Sequence, residues 1–269
     1  MKKIFLVLNG ANTANTIAFA CYIAGFSKAR LIGVFPGAYS TEPVLKQVLG
    51  MAYVESNING DLPVKKLQQQ LFEDICESKG VPYRVFKEQR ITAEEMIAES
   101  RLADLIIIDT IADSQYQTEV VRNKLTRSLL TNAECPVMIS PAFFKPIEEI
   151  VFCYDGSASA VFAMKQLSYL LPGLEDVKAI ALQIGDVDKQ KATENNRLRE
   201  WLCGNYRYSD VITIKGTPDK ELFNFLLKKK HTLVVLGAYG RSMISRFFHQ
   251  SHADQLIETL PFPVFVTHY

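Results

Sequence analysis

Short apolar runs recur along the chain, and longer stretches with helical apolar spacing separate them. Lys3–Leu8 predicts a first strand, Asn9-Gly10-Ala11 a turn, and Thr13–Lys28 a helix. Leu31–Phe35 reads as a second strand, and Pro36–Pro63 as a long irregular connection. Val64–Ser78 has the spacing of an amphipathic helix, which Gly80 ends before a third strand at Tyr83–Phe86. Thr92 and Glu95 have the spacing of a capping box, in which each residue's side chain satisfies the other's backbone N–H at a helix start. Leu105-Ile106-Ile107-Ile108 reads as a buried strand, Thr118–Leu130 as a helix, and Val137–Ser140 as a last strand. Pro141–Pro146 is the expected linker.

The same order then returns. Strands are predicted at Ile150–Tyr154, Val177–Gln183, Val211–Lys215, Leu233–Leu236 and Val264–Thr267. Helices are predicted at Ala158–Leu171, Asp188–Cys203, Asp219–Lys229 and within Ser245–Leu260. Strands that are apolar throughout must be covered on both faces, which predicts parallel sheets between helix layers. Crossovers in such sheets are right-handed.

Local pairs reveal an internal repeat. Asn9-Gly10 corresponds to Asp155-Gly156. The run from Asp104 to Asp109 corresponds to that from Thr232 to Gly237, and Cys135–Ile139 to Phe262–Val266. The expected domains are residues 1–143 and 147–269, each a mostly parallel five-stranded sheet flanked by helices. The two can pair within one chain, their last strands edge to edge, which would protect both edges. A homodimer is compatible with the same design.

Composition narrows the function. The chain has 269 residues, enough for two domains, and its 48% apolar and 22% charged residues suit a soluble globular protein. Its 30 Lys and Arg nearly balance 29 Asp and Glu, which gives no general argument for a nucleic acid or membrane partner. The basic run Lys228-Lys229-Lys230-His231 is expected to cap a helix C-terminus. Five scattered cysteines with no CxxC argue against a disulfide scaffold or a zinc site and fit a reducing, cytoplasmic compartment. Cys135 and Cys153 are expected to be core thiols, and Trp201 a packing residue. The apolar run after Met1-Lys2-Lys3 stops at Asn9-Gly10, too short for a secretory signal.

The residues that carry chemistry lie at predicted strand ends, where parallel sheets bind ligands. Leu233–Leu236 exits into Gly237-Ala238-Tyr239-Gly240-Arg241, and nine residues separate Gly240 from Gln250-Ser251. Glycines let a backbone approach phosphates and turn its amides inward. Ser251 can donate from a helix start, and Arg241 can add a charge-assisted contact. Each residue also has a plain structural use. The glycines can make a tight strand exit, Asp155 can hold turn amides, Ser251 can cap a helix, and Arg241 can be a solvated charge. His249 and His252 flank Gln250-Ser251 but are too few for a metal site. There is no G-x-S-x-G nucleophile turn and no G-x-x-x-x-G-K-[ST] phosphate loop.

With its two repeats and its Gly237-x-x-Gly240 turn, the chain resembles a tandem universal stress protein. That family follows its second glycine with nine residues and then Gly-Ser or Gly-Thr. Here Gln250 stands in place of the third glycine and Ser251 keeps the hydroxyl. The family's acidic residue after its first strand maps to Asp155, which the resemblance assigns to the adenine end. Asn9, Asp109 and Ala112 replace the corresponding residues of the first repeat, so that copy is expected to be structural or to bind something else. The resemblance implies a regulatory module that binds an adenine nucleotide, ATP with or without magnesium, in the second repeat. The expected site is Asp155, Gly237, Gly240, Arg241, Gln250 and Ser251. No catalytic base is evident, so the expectation is a non-enzyme with at most weak ATPase activity. The alternative is a nucleotide-free structural or protein-interaction module of the same fold, with a regulatory protein as partner.

Overall fold

The computed structural model describes residues 2–8, 13–36, 61–86, 91–109, 119–185, 190–237 and 262–267. The expected helix within 245–260 lies outside these residues. The chain divides into two compact units, 1–144 and 145–269.

In the first unit, strands β1 (Lys3–Val7), β2 (Arg30–Val34), β3 (Tyr83–Val85), β4 (Leu105–Ile108) and β5 (Val137–Ile139) line up in the order β3-β2-β1-β4-β5. Every pairing is parallel. The described helices are α1 (Thr13–Ser27), α2 (Asp61–Ser78), α3 (Ala93–Ser100) and α4 (Glu119–Asn132). All four residues of β4 are buried, as its unbroken Leu-Ile-Ile-Ile run requires. The capping box is present: Glu95 N donates to Thr92 Oγ1 at 3.2 Å, and Thr92 N donates to Glu95 Oε2 at 2.7 Å. Phe5 and Phe19 are fully buried, each removing a ring worth about 2–3 kcal/mol from water.

The expected linker does not hang free at its start. Asn15 Nδ2 donates to Pro141 O at 2.9 Å, and Asn15 Oδ1 accepts from Phe144 N. The Phe144 ring packs on Phe19 and Tyr22. One α1 side chain therefore fastens the stretch to the first unit.

The second unit repeats the topology with β6 (Glu149–Cys153), β7 (Lys178–Ile184), β8 (Ser209–Ile214), β9 (Thr232–Gly237) and β10 (Val264–Thr267). Their order is β8-β7-β6-β9-β10, again with parallel pairings. Helices α5 (Ala158–Leu170), α6 (Gln190–Asn205) and α7 (Pro218–Leu226) are described here, and a short 3-10 turn at Pro172–Leu174, absent from the sequence reading, follows α5. Phe152 on β6 packs against Trp201 and Tyr206, so Trp201 is a packing residue as expected.

The basic run caps the helix end, as expected, and does more: Lys228 N and Lys229 N donate to Phe225 O and Leu226 O at 3.4 and 2.9 Å. Helix α7 ends at Leu226, before it begins. Lys229 Nζ reaches Glu149, which Lys178 also contacts at 3.3 Å. His231 Nδ1 lies 2.9 Å from Glu148 Oε1. Glu148 and Glu149 lead into β6, so these side chains fasten the start of that strand. Among the described residues no helix is long and apolar enough to cross a membrane.

Candidate functional site

In a sheet ordered 3-2-1-4-5, the first and fourth strands are neighbours and the chain leaves them towards opposite sides. A crevice opens where they diverge, at their C-terminal ends. In the second unit this point lies between β6 and β9, which pair from Glu149↔Thr232 to Phe152↔Val235. Asp155 follows β6 and Gly237 ends β9, so the structure brings these two expected site residues to the same end of neighbouring strands. Gly240, Arg241, Gln250 and Ser251 lie outside the described residues, as do His249 and His252.

The β6 exit is built from its sequence. Asp155 is exposed, and its Oδ1 accepts from Ser157 N at 2.9 Å. Gly156 takes φ +84°, a left-handed value that a side chain would resist. Ser157 then caps α5, its Oγ accepting from Ala160 N at 3.2 Å. The carboxylate therefore already holds a turn amide while keeping an exposed face. Two residues before it, burial and then the Asp155 charge push the Cys153 thiol up to about 12. Cys153 and Cys135 are both buried, as expected.

Gly237 has a packing role. A Cβ at this position would run into the backbone C and O of Ser159 and come within 2.7 Å of Ala160 N. The first turn of α5 rests on the end of β9, and only glycine leaves room for it.

The corresponding place in the first unit is filled differently. Asp109, which follows β4, is 2% exposed. Its Oδ1 accepts from Thr16 Oγ1 of α1 at 3.0 Å, and Thr16 Oγ1 also lies 3.0 Å from Ser140 Oγ beyond β5. All three side chains are buried. The carboxylate is tied through Oδ1 to the Thr16 hydroxyl of its own unit. In the second unit the residue matching Ser140 in the repeat is Thr267, paired with Gly237 in register. Thr267 is fully buried, and its hydroxyl has no hydrogen-bond partner among the described residues.

One pair escaped the sequence reading altogether. Cys21 on α1 and Cys76 on α2 bring their sulfurs to 3.8 Å. They are 55 residues apart, and only the packing of the two helices reveals them. Among the described residues no group of His, Cys, Asp and Glu could hold a metal ion.

Comparison with known proteins agrees with this fold. Residues 186–268 match the universal stress protein family. The match runs from before α6 through β10, so it includes Gly237 and excludes Asp155 and the first unit. The whole chain is similar to the crystal structure of a universal stress protein from Archaeoglobus fulgidus DSM 4304, with a TM-score of 0.63 and 14% identity over 98% of this chain and 96% of that one. At that identity the likeness establishes the fold. A gamma-glutamyl phosphate reductase from Saccharomyces cerevisiae aligns over 92% of this chain and 60% of its own, at 12% identity and a TM-score of 0.22, too low to bear on the fold. No curated protein gives a significant match.

Proposed function

We propose that the chain is a regulatory module of the universal stress protein type, with two tandem domains and a nucleotide site in the second. The observation that carries this reading is the contrast at the strand ends. In the first unit the place is taken by the buried Asp109–Thr16–Ser140 cluster. In the second unit Asp155 stays exposed, and Thr267 keeps a buried hydroxyl without a partner among the described residues. The ligand is an adenine nucleotide, ATP with or without magnesium. Asp155 serves its adenine end. Gly240, Arg241, Gln250 and Ser251 serve the phosphates. Gly237 supports the site by letting α5 close onto β9. The protein binds rather than catalyses, and binding is the regulatory event.

The nucleotide-free reading has one specific observation in its favour. The packing of Gly237 against Ser159 and Ala160 explains that glycine without any ligand.

Calorimetry with ATP and with ADP, with and without magnesium, on protein stripped of copurified nucleotide separates the two. The nucleotide reading expects saturable binding near one ligand per chain. Gly240→Asp should abolish it, with little loss of global stability. Asp155→Asn, which keeps an acceptor for Ser157 N, should weaken it while leaving the fold intact. No binding by well-folded protein would establish the nucleotide-free reading. Unchanged affinity in folded Gly240→Asp would remove the site from this turn.

A further inference from the structure

We propose that Cys21 and Cys76 form a redox-active dithiol that closes to a disulfide when hydrogen peroxide reaches it, tying α1 to α2. The proposal is independent of nucleotide binding, because both residues lie in the first unit and on helices rather than at the strand ends. Their sulfurs are already in contact at 3.8 Å. A disulfide needs about 2.05 Å, a closure that side-chain rotation and a small helix adjustment can supply.

The two thiols are not equivalent. The hydrogen-bonding contact between the two sulfurs, in which either can donate, lowers the Cys21 thiol, and the positive charge of Lys79 lowers it further against the opposing effect of burial. The same bond, with burial, raises Cys76. Cys21 is therefore the attacking sulfur and Cys76 the resolving one. The other buried thiols stay protonated: burial pushes both Cys135 and Cys153 up to about 12. At 3% and 0% exposure the pair excludes a bulky disulfide such as glutathione disulfide and favours a small uncharged oxidant.

The Cys21 thiolate attacks one peroxide oxygen. The O–O bond breaks, an S–O bond forms, and the departing hydroxide takes a proton to become water. The Cys76 sulfur then attacks the Cys21 sulfur. The S–S bond forms as the S–O bond breaks, and the hydroxide leaves with the Cys76 proton as a second water. Two thiols are oxidised and one peroxide is reduced to two waters.

The test uses the full chain carrying Cys203→Ser, which removes the exposed thiol and leaves four of the five cysteines. The protein is treated with peroxide while folded, then denatured, alkylated and mapped by mass spectrometry. The expected result is paired loss of two alkylatable thiols, a crosslinked peptide joining Cys21 to Cys76, and recovery of both thiols on reduction. Oxidation should also raise the urea midpoint. In Cys76→Ser the crosslink should vanish and dimedone should trap Cys21 as the sulfenic acid. The proposal is overturned if both thiols survive peroxide that fully oxidises Cys203 in the unsubstituted chain. It is equally overturned if the crosslink involves Cys135 or Cys153, or forms only in denaturant. If Cys76→Ser fails to fold, the peptide map of the Cys203→Ser chain decides alone.

Discussion

The two units share one strand order and spend the same corner of it in opposite ways. After β4 the first unit places Asp109, and the first helix reaches it with the Thr16 hydroxyl. At the matching end of β9 the second unit places Gly237, and the first helix reaches it with its own backbone at Ser159 and Ala160. One corner carries a side-chain network and the other lacks a side chain. Topology fixes where a parallel sheet can hold a ligand. Whether it does depends on what fills the corner, and in the first unit buried Asp109, Thr16 and Ser140 stand there.

The strongest way to break this comparison is to put a side chain where the second unit has none. Gly237→Val would drive methyl groups into the backbone of Ser159 and Ala160, which cannot rotate away. The expected cost is about 3 kcal/mol or more, with α5 displaced from β9. Urea unfolding followed by circular dichroism would show it. A loss under 1 kcal/mol would mean that the helix start does not rest on the strand end.

Next in size is the hydroxyl at the centre of the first unit's network. Thr16→Val keeps the shape and removes the group that donates to Asp109 and lies 3.0 Å from Ser140. Weakening the hydrogen bonding of a buried carboxylate should cost about 2 kcal/mol. Wild-type stability in this variant would show that the cluster contributes no net stabilisation.

Much of the fold was legible because its signals are local. The unbroken apolar runs located the strands, and the Thr92–Glu95 spacing placed a helix start that the structure reproduces. The strand-end position of Asp155 and Gly237 followed from the alternation of strands and helices. What could not be read depends on faces meeting across long separations. Thr16 and Asp109 are 93 residues apart, and Cys21 and Cys76 are 55 apart. Nothing in either segment names its partner. Gly237 is instructive in another way: the sequence marks a position that wants no side chain but cannot say whether a phosphate or a helix crowds it. The basic run at 228–231 was read as a helix end, which it is, but its second use, Lys229 and His231 reaching Glu149 and Glu148, depends on a strand about 80 residues earlier.

A third test uses the thiols that each unit buries. Cys153 and Cys135 are both raised from an ordinary value of 9.0 to about 12, chiefly by burial. The folded chain holds these protons above the pH at which an unfolded chain releases them. Their contribution is fully present below about pH 8.5 and is lost as pH climbs towards 12, by up to about 1.4 kcal/mol per pH unit for each thiol. Urea midpoints at pH 8, 9 and 10 should fall accordingly. The units differ in the second cause, which is Asp155 for Cys153 and Asp104 for Cys135. Asp155→Asn should therefore leave the slope between pH 8 and 10 unchanged and lower the pH at which the decline through Cys153 levels off. An unchanged levelling-off pH would mean that the exit-turn charge does not reach the thiol.

The smallest effect is also the most discriminating, because it compares the same position in the two copies. Ser140 and Thr267 each follow or end the last strand of their unit, and both are fully buried. Ser140 lies within hydrogen-bond distance of Thr16, so Ser140→Ala should cost about 1 kcal/mol by weakening the cluster. Thr267 has no partner among the described residues, and a buried hydroxyl without one is a liability. Thr267→Val should then be neutral or stabilising by a few tenths of a kcal/mol in protein stripped of nucleotide. If the second corner holds a ligand that uses this hydroxyl, the same variant should bind ATP more weakly than wild type while being no less stable. A Thr267→Val chain that is clearly destabilised without ligand would mean that the hydroxyl is already satisfied. The two corners would then be closed alike, and the asymmetry that supports a site in the second unit would be gone.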